Sequence, residues 1–352
     1  MTETNSLLLP RRNENPGFGN GSIFFVGNAT VLIRYAGFTI LTDPNFLHAG
    51  DHVHLGYGLT TTRTTDPAVE IEDLPPLDFV LLSHLHGDHF DRVAERRLNK
   101  AIPVISTRHA TSYLGKIGFT RTHALKTWEP IEVTKGEANL RLTALPGTHG
   151  PGPLGAVLPP VMGSMLEFGS AGGGADLRMY ISGDTLIHER LREIPRHFPD
   201  VDLALLHLGG TSVLGIMVTM DAEQGLEAMR IIGPRTAIPI HYNDYEAFSS
   251  PLDDFKRAVS EAGLKDRVHY LSHGDTYEFE VPGTAGLEWP CLKAESRQED
   301  SVAPWLRLRQ PRGVSHRIPA PETAPPPTGC RGRATLPRRD QGPRRAPRPA
   351  RP

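Results

Sequence analysis

Short apolar runs closed by turn residues set the pattern of the first half of this chain. Residues 22–26, 30–35 and 38–42 read as hairpin-linked strands, with Gly37 in the second turn. A mobile loop carrying His48, His52 and His54 is expected next, and residues 77–82 (LDFVLL) then read as a buried strand. Further strands are predicted at 102–106, 131–133, 140–144, 164–168, 177–181, 203–206, 236–240 and around 268–280. Helices are predicted over 109–117, 221–232 and 251–262, the first ended by Gly118. Early strands are joined by hairpins and later ones alternate with helices. That order predicts an α/β fold in which two sheets pack together with helices outside, a four-layer αββα sandwich. No short-period internal repeat of the solenoid kind interrupts it.

Against this background one stretch stands out. Residues 83–91, SHLHGDHFD, place three imidazoles and two carboxylates directly after the strand at 77–82. A single His is usually a surface or hydrogen-bonded core residue. Here His84 and His86 sit at i and i+2 where the strand ends, so their side chains share a face. Gly87 permits a sharp turn. Asp88 and His89 fall at the expected start of a helix running through Arg97. Imidazole and carboxylate together suit borderline divalent metals, zinc first, with manganese or iron as alternatives.

Later strands end in the same currency. His149 lies in the loop GTHGPGP after the strand at 140–144, Asp184 follows the strand at 177–181, and His241 follows 236–240. Carboxyl ends of strands are where α/β proteins place ligand sites. Each residue alone reads as a turn or cap residue. All three in company with SHLHGDHFD point to a metal site.

The series His84, His86, Asp88, His89, His149, Asp184, His241 resembles the signature of the metallo-β-lactamase superfamily, in order and spacing, over roughly residues 18–282. Asp43, in LTDP, is similar to that family's early structural aspartate. Thr42-Asp43-Pro44, Trp128-Glu129 and the run IPIHY at 238–242 most resemble the branch containing L-ascorbate-6-phosphate lactonase, near N-acylphosphatidylethanolamine phospholipase D. The resemblance implies that His84, His86 and His149 bind one metal, that Asp88, His89 and His241 bind a second, and that Asp184 bridges them. It implies a hydrolase acting on a small ester, lactone or phosphodiester. Two cations about 3.5–4 Å apart lower the pKa of a bridging water and stabilise the oxyanion formed on attack. Asp88 and Asp184 are then the catalytic carboxylates, with Asp88 able to steer the nucleophile or its proton. Asp43 is expected to hold a ligand imidazole from behind. His207 and His188 are the surplus imidazoles, placed either at the substrate pocket or in structural roles. A second GDT, at 274–276, repeats the motif around Asp184, but it falls after His241, so Asp275 reads as a turn residue.

Composition narrows the function classes. Both cysteines, Cys291 and Cys330, lie outside the motif-bearing region, so neither disulfides nor thiolates hold the site. The net charge of −2 conceals two parts: from Arg297 onward, thirteen arginines face four carboxylates for +9, leaving −11 in the preceding residues. An acidic body repels polyanions, which argues against the alternative of a tRNA 3′-processing type of nuclease and against nucleic acid as partner. Flavodiiron proteins share the resemblance but carry a carboxylate where His86 stands, and a non-catalytic scaffold would be expected to have lost ligands. The Arg/Pro-rich segment 283–352 is expected to be disordered, and 1–17 to be a flexible N-terminus. Leu7-Leu8-Leu9 is too short for a signal-peptide core, and no apolar run reaches bilayer-spanning length. A cytoplasmic protein with a small-molecule substrate is the expectation. No oligomeric interface is legible.

Overall fold

Strands covered on both faces explain why so many apolar runs lack alternation. Thr30–Tyr35 is buried at every position except Arg34, Phe38–Thr42 and Phe79–Leu81 are buried throughout, and Leu203–His207 likewise. A strand flanked by a second sheet on one side and by helices on the other has no face left for polar residues. The computed structural model describes residues 5–10, 17–56, 59–213 and 215–281, and the segment 283–352 lies outside them.

Two seven-stranded sheets form the body. The first runs in the order Asn5–Leu8, Pro130–Lys135, Ala138–Pro146, Met162–Ser170, Leu177–Ile181, Leu203–His207, Thr236–Ile240. The second runs Thr276–Glu280, Asn20–Gly27, Thr30–Tyr35, Phe38–Thr42, Phe79–Leu81, Val104–Thr107, Thr122–Leu125. In each, antiparallel hairpins give way to parallel strands joined by crossovers. Ile23, Phe25, Ile33 and Ile40 of one sheet share a continuous core with Val133, Leu140, Leu142 and Met179 of the other. Phe168 anchors that contact, its ring centroid 5.4 Å from Tyr35 and 6.1 Å from Phe38. Helices Arg108–Lys116, Ala222–Ile232 and Leu252–Glu261 each turn an apolar stripe inward, as at Leu226, Met229 and Ile232. The predicted αββα sandwich is the fold observed. Among the described residues no helix is long and apolar enough to cross a membrane.

Three expectations are corrected. The N-terminus is not flexible over its whole length, because Asn5–Leu8 pairs in parallel with Pro130–Lys135 and buries Leu7 and Leu9. The loop after Asn45 contains a small hairpin, His52–Gly56 with Leu59–Thr62, held by pairs such as Val53 with Thr61. The helix expected from Asp88 begins only at Arg92. Asp91 is its cap, accepting from the amides of Val93 (2.9 Å) and Ala94 (2.7 Å) through one oxygen. Its other oxygen accepts from Leu47 at 2.7 Å, so Asp91 is used up structurally, and Asp88 and His89 lie in the turn before the helix.

Candidate metal centre

Strand ends from both sheets converge on one rim. Thr42 delivers Asp43, Leu81 delivers His84, Ile181 delivers Asp184 and Ile240 delivers His241, each within three residues of a strand's last position. Two glycines make the approach close enough. A Cβ at Gly87 would lie 2.4 Å from Val53 and 2.9 Å from the His54 carbonyl, so the small hairpin can sit directly against the HLHGDH turn only because that position has no side chain. Close approach, rather than a left-handed backbone, is what Gly87 supplies. Gly183, at φ +60°, supplies both: a Cβ there would meet the Met162 carbonyl at 2.9 Å.

The side chains gather into two clusters of donor atoms, His84, His86 and His149 in one, Asp88, His89, Asp184 and His241 in the other, with all atoms of each within 4.8 Å of one another. In the first, Nε2 of His84 lies 3.1 Å from Nδ1 of His86, and Nε2 of His149 lies 3.0 Å from that same atom. In the second, Nε2 of His89 is 3.3 Å from Asp184 and 3.9 Å from Asp88, and Nε2 of His241 is 3.4 Å from Asp88. His84, Asp88, His89, Asp184 and His241 are buried almost completely.

Four of the five far ring nitrogens are already committed, and that of His86, Nε2, is buried without a hydrogen-bond partner among the described residues. Nδ1 of His149 faces the Val218 carbonyl at 3.0 Å, Nδ1 of His241 the Leu208 carbonyl at 2.9 Å, Nδ1 of His84 the Ser83 hydroxyl at 3.0 Å, and Nδ1 of His89 the Asp43 carboxylate at 3.1 Å. Such partners fix the orientation of these four rings and aim Nε2 inward. Meanwhile Nε2 of His89, Oδ1 of Asp88 and Oδ1 of Asp184 are buried with no hydrogen-bond partner among the described residues. Buried polar atoms left without partners cost about 1–3 kcal/mol each. Atoms of this kind, converging with bare ring nitrogens, fit a divalent cation in each cluster.

Electrostatics divide the clusters sharply. Burial, and then the neighbouring rings, hold His84 well below the ordinary imidazole pKa and bring His86 down to about 4; burial also lowers His149. Burial opposes charge on His89 and His241 too, but Asp184 and Asp88 outweigh it, with Asp43 adding to the effect at His89, so both are raised. Asp184 is held well below the carboxylate range, against its burial, by His241 and His89. Asp43, also against burial, is lowered to about 2 by His89 and His207.

The remaining predicted residues fall as follows. Asp43 stands behind the site and gathers Ser83, His89 and His207, with its other oxygen accepting the Ser83 amide at 2.7 Å. His207 is fully buried, 3.3 Å from Asp43 and 3.2 Å from the Ser182 hydroxyl, and with Asp43 and His89 forms a further group of donor atoms behind the two clusters. His188 leads into the turn Glu189–Glu193, bonds the Pro146 carbonyl and belongs to neither cluster. Asp275 accepts the Ser272 amide at 2.8 Å in an exposed turn before the last strand, as its place in the sequence implies.

Sequence reasoning missed the groups that hold these donor side chains in place. Thr219, fully buried, donates its hydroxyl to Asp184 at 2.9 Å, next to the Val218 carbonyl that holds His149. A lone Thr before a helix cap carries no signal in sequence. Thr219→Val, which keeps the shape and removes the donor, is expected to lower turnover about 10-fold with an unchanged circular dichroism spectrum, while Thr219→Ser retains activity. Full activity in the valine variant would remove Thr219 from the support.

This is the metallo-β-lactamase fold. Residues 39–242 match the beta-lactamase superfamily domain, and the chain belongs to that superfamily. A UPF0173 metal-dependent hydrolase of Pelotomaculum thermopropionicum is 32% identical over 204 residues, covering 57% of this chain and 82% of the relative. N-acyl-phosphatidylethanolamine-hydrolyzing phospholipase D 1 of Caenorhabditis elegans is 26% identical over 259 residues, covering 69% of this chain and 71% of its own. Among solved structures, isothiocyanate hydrolase from Delia radicum gut bacteria superposes with a TM-score of 0.62 at 22% identity, covering 74% of this chain and 99% of that one, a likeness of fold.

Proposed function

We propose that the chain is a metal-dependent hydrolase holding two divalent cations, zinc first, and cleaving a phosphodiester, ester or lactone in a small molecule. The observation that carries this reading is the pair of donor clusters with inward-facing, otherwise unpartnered atoms in the second. His84, His86 and His149 would hold one cation, Asp88, His89 and His241 the other, and Asp184, whose negative charge acts on rings of both clusters, would join them. Cations held there supply an acidified water and a counter-charge for the oxyanion formed on attack. The chain itself holds the ligand rings in fixed orientation, and Asp88 would also steer the attacking group. Among the three substrate classes, the relative whose name specifies phospholipase D chemistry supports the phosphodiester.

The test is metal content after stripping and reloading with zinc, beside turnover of bis(p-nitrophenyl) phosphate and a panel of lactones and esters. Two ions per chain and turnover that follows reloading are expected. A saturating value of one overturns the paired-cation reading, and two ions without turnover of any substrate in the panel overturns the hydrolase.

A further inference from the structure

Residues 26–30, VGNAT, close the turn between the strands Asn20–Gly27 and Thr30–Tyr35. An Asn in a two-residue hairpin turn is ordinarily explained by its tolerance of positive φ, and Asn28 does adopt φ +53°. Turn residues of that ordinary kind lie at the surface. Asn28 is completely buried, and three of its groups are engaged. Its side-chain amide donates to the Asp88 carbonyl at 2.6 Å. Its own carbonyl accepts the amide of His241 at 2.7 Å. Its own amide donates to Asp244 at 3.1 Å. Asp244 is itself buried and anchored, with His273 at 3.0 Å and the guanidinium of the fully buried Arg63 at 3.7 Å.

We propose that Asn28 is a positioning residue for the second metal cluster, one clamp that fixes the backbone of Asp88 and the backbone of His241 against a rigid Arg63–Asp244–His273 base. The inference rests on the two-cation reading above. The two ligands come from opposite sheets and lie 153 positions apart, so no local structure sets the distance between them. His241 adds a need of its own: it sits at φ +60°, a conformation costly for a residue other than Gly, and its Nε2 can face the cluster only while that backbone is held. The bond from its amide to Asn28 does the holding. No comparable link from Asn28 reaches His84, His86 or His149 among the described residues, so the clamp acts on one cluster and spares the other.

Two variants separate this role from a plain turn. Asn28→Gly keeps the left-handed backbone and both main-chain bonds and removes only the amide contact to Asp88. Asn28→Asp keeps shape and turn tolerance but sets a carboxylate against the Asp88 carbonyl and beside Asp244. The measurements are zinc affinity of each site by chelator competition and the visible spectrum of the cobalt-loaded protein. In both variants the ion of one site is expected to loosen by about 10-fold or more, the aspartate variant the more severely, with the ion of the other site unchanged. The cobalt bands of one site should shift while those of the other stay. Equal weakening of both ions, or affinities and spectra like the wild type in both variants, overturns the clamp. A wild-type protein that takes one ion at saturation overturns the reading beneath it, and that result is visible before any variant is made.

Discussion

Asp184→Asn is expected to abolish hydrolysis while leaving the fold intact, and Asp275→Asn, at the other GDT, to leave both unchanged. Asp184 is buried, keeps one oxygen without a hydrogen bond, 3.7 Å from His241, and receives the Thr219 hydroxyl on the other. An amide fits that space and can still accept from Thr219, so the packing survives. What it cannot supply is the negative charge that holds His89 and His241 and that would separate two cations. The loss should weaken metal binding in the second cluster and cut turnover by on the order of 10³-fold, equivalent to about 4 kcal/mol of barrier. Asp275 asks only for an acceptor toward the Ser272 amide, which an Asn side chain provides. Metal content, circular dichroism and turnover of the two variants decide the matter. A fully active Asp184→Asn, or equal metal loss in both, would place the joining carboxylate elsewhere.

The clustered donor residues were legible because metal chemistry restricts residue type and because each follows an apolar strand that periodicity alone reveals. His149, Asp184 and His241 could be read from what ends 138–146, 177–181 and 236–240, with no knowledge of which strands are neighbours. Residue chemistry alone did not divide SHLHGDHFD; the family resemblance singled out Asp88. Asp88 and Asp91 are the same residue type three positions apart, and only tertiary structure shows that Asp91 is consumed by the amides of Leu47, Val93 and Ala94. Asn28 and Thr219 were invisible for a related reason: they act through an amide and a hydroxyl on ligands far away in sequence, and many residues could supply such a bond. Asn5–Leu8 escaped notice because four residues are too few for alternation to declare itself, and pairing with Pro130–Lys135 decides their state.

Lowering the pH from 8 to 6 at a fixed free zinc concentration should strip the second cluster and spare the first. Protons and cations compete for the same ring nitrogens, so the direction of each pKa shift sets the direction of the metal's response. His89 and His241 have raised values because Asp184, Asp88 and, for His89, Asp43 surround them. Without metal they therefore keep protons near neutrality that a cation must displace. Affinity in that cluster should rise with pH until the raised values are passed, about 10-fold per unit for each proton released. His84, His86 and His149 are shifted the other way, His84 well below the ordinary value and His86 to about 4, so a cation there competes with fewer protons at pH 6. Zinc per chain should accordingly fall from two toward one, hydrolysis should fall with it, and proton release on reloading should be seen mainly for the second ion. Calorimetry in buffers of different ionisation enthalpy measures that release directly. Loss of both ions together, or loss from the three-histidine cluster first, would show that the carboxylates do not hold protons in place of metal.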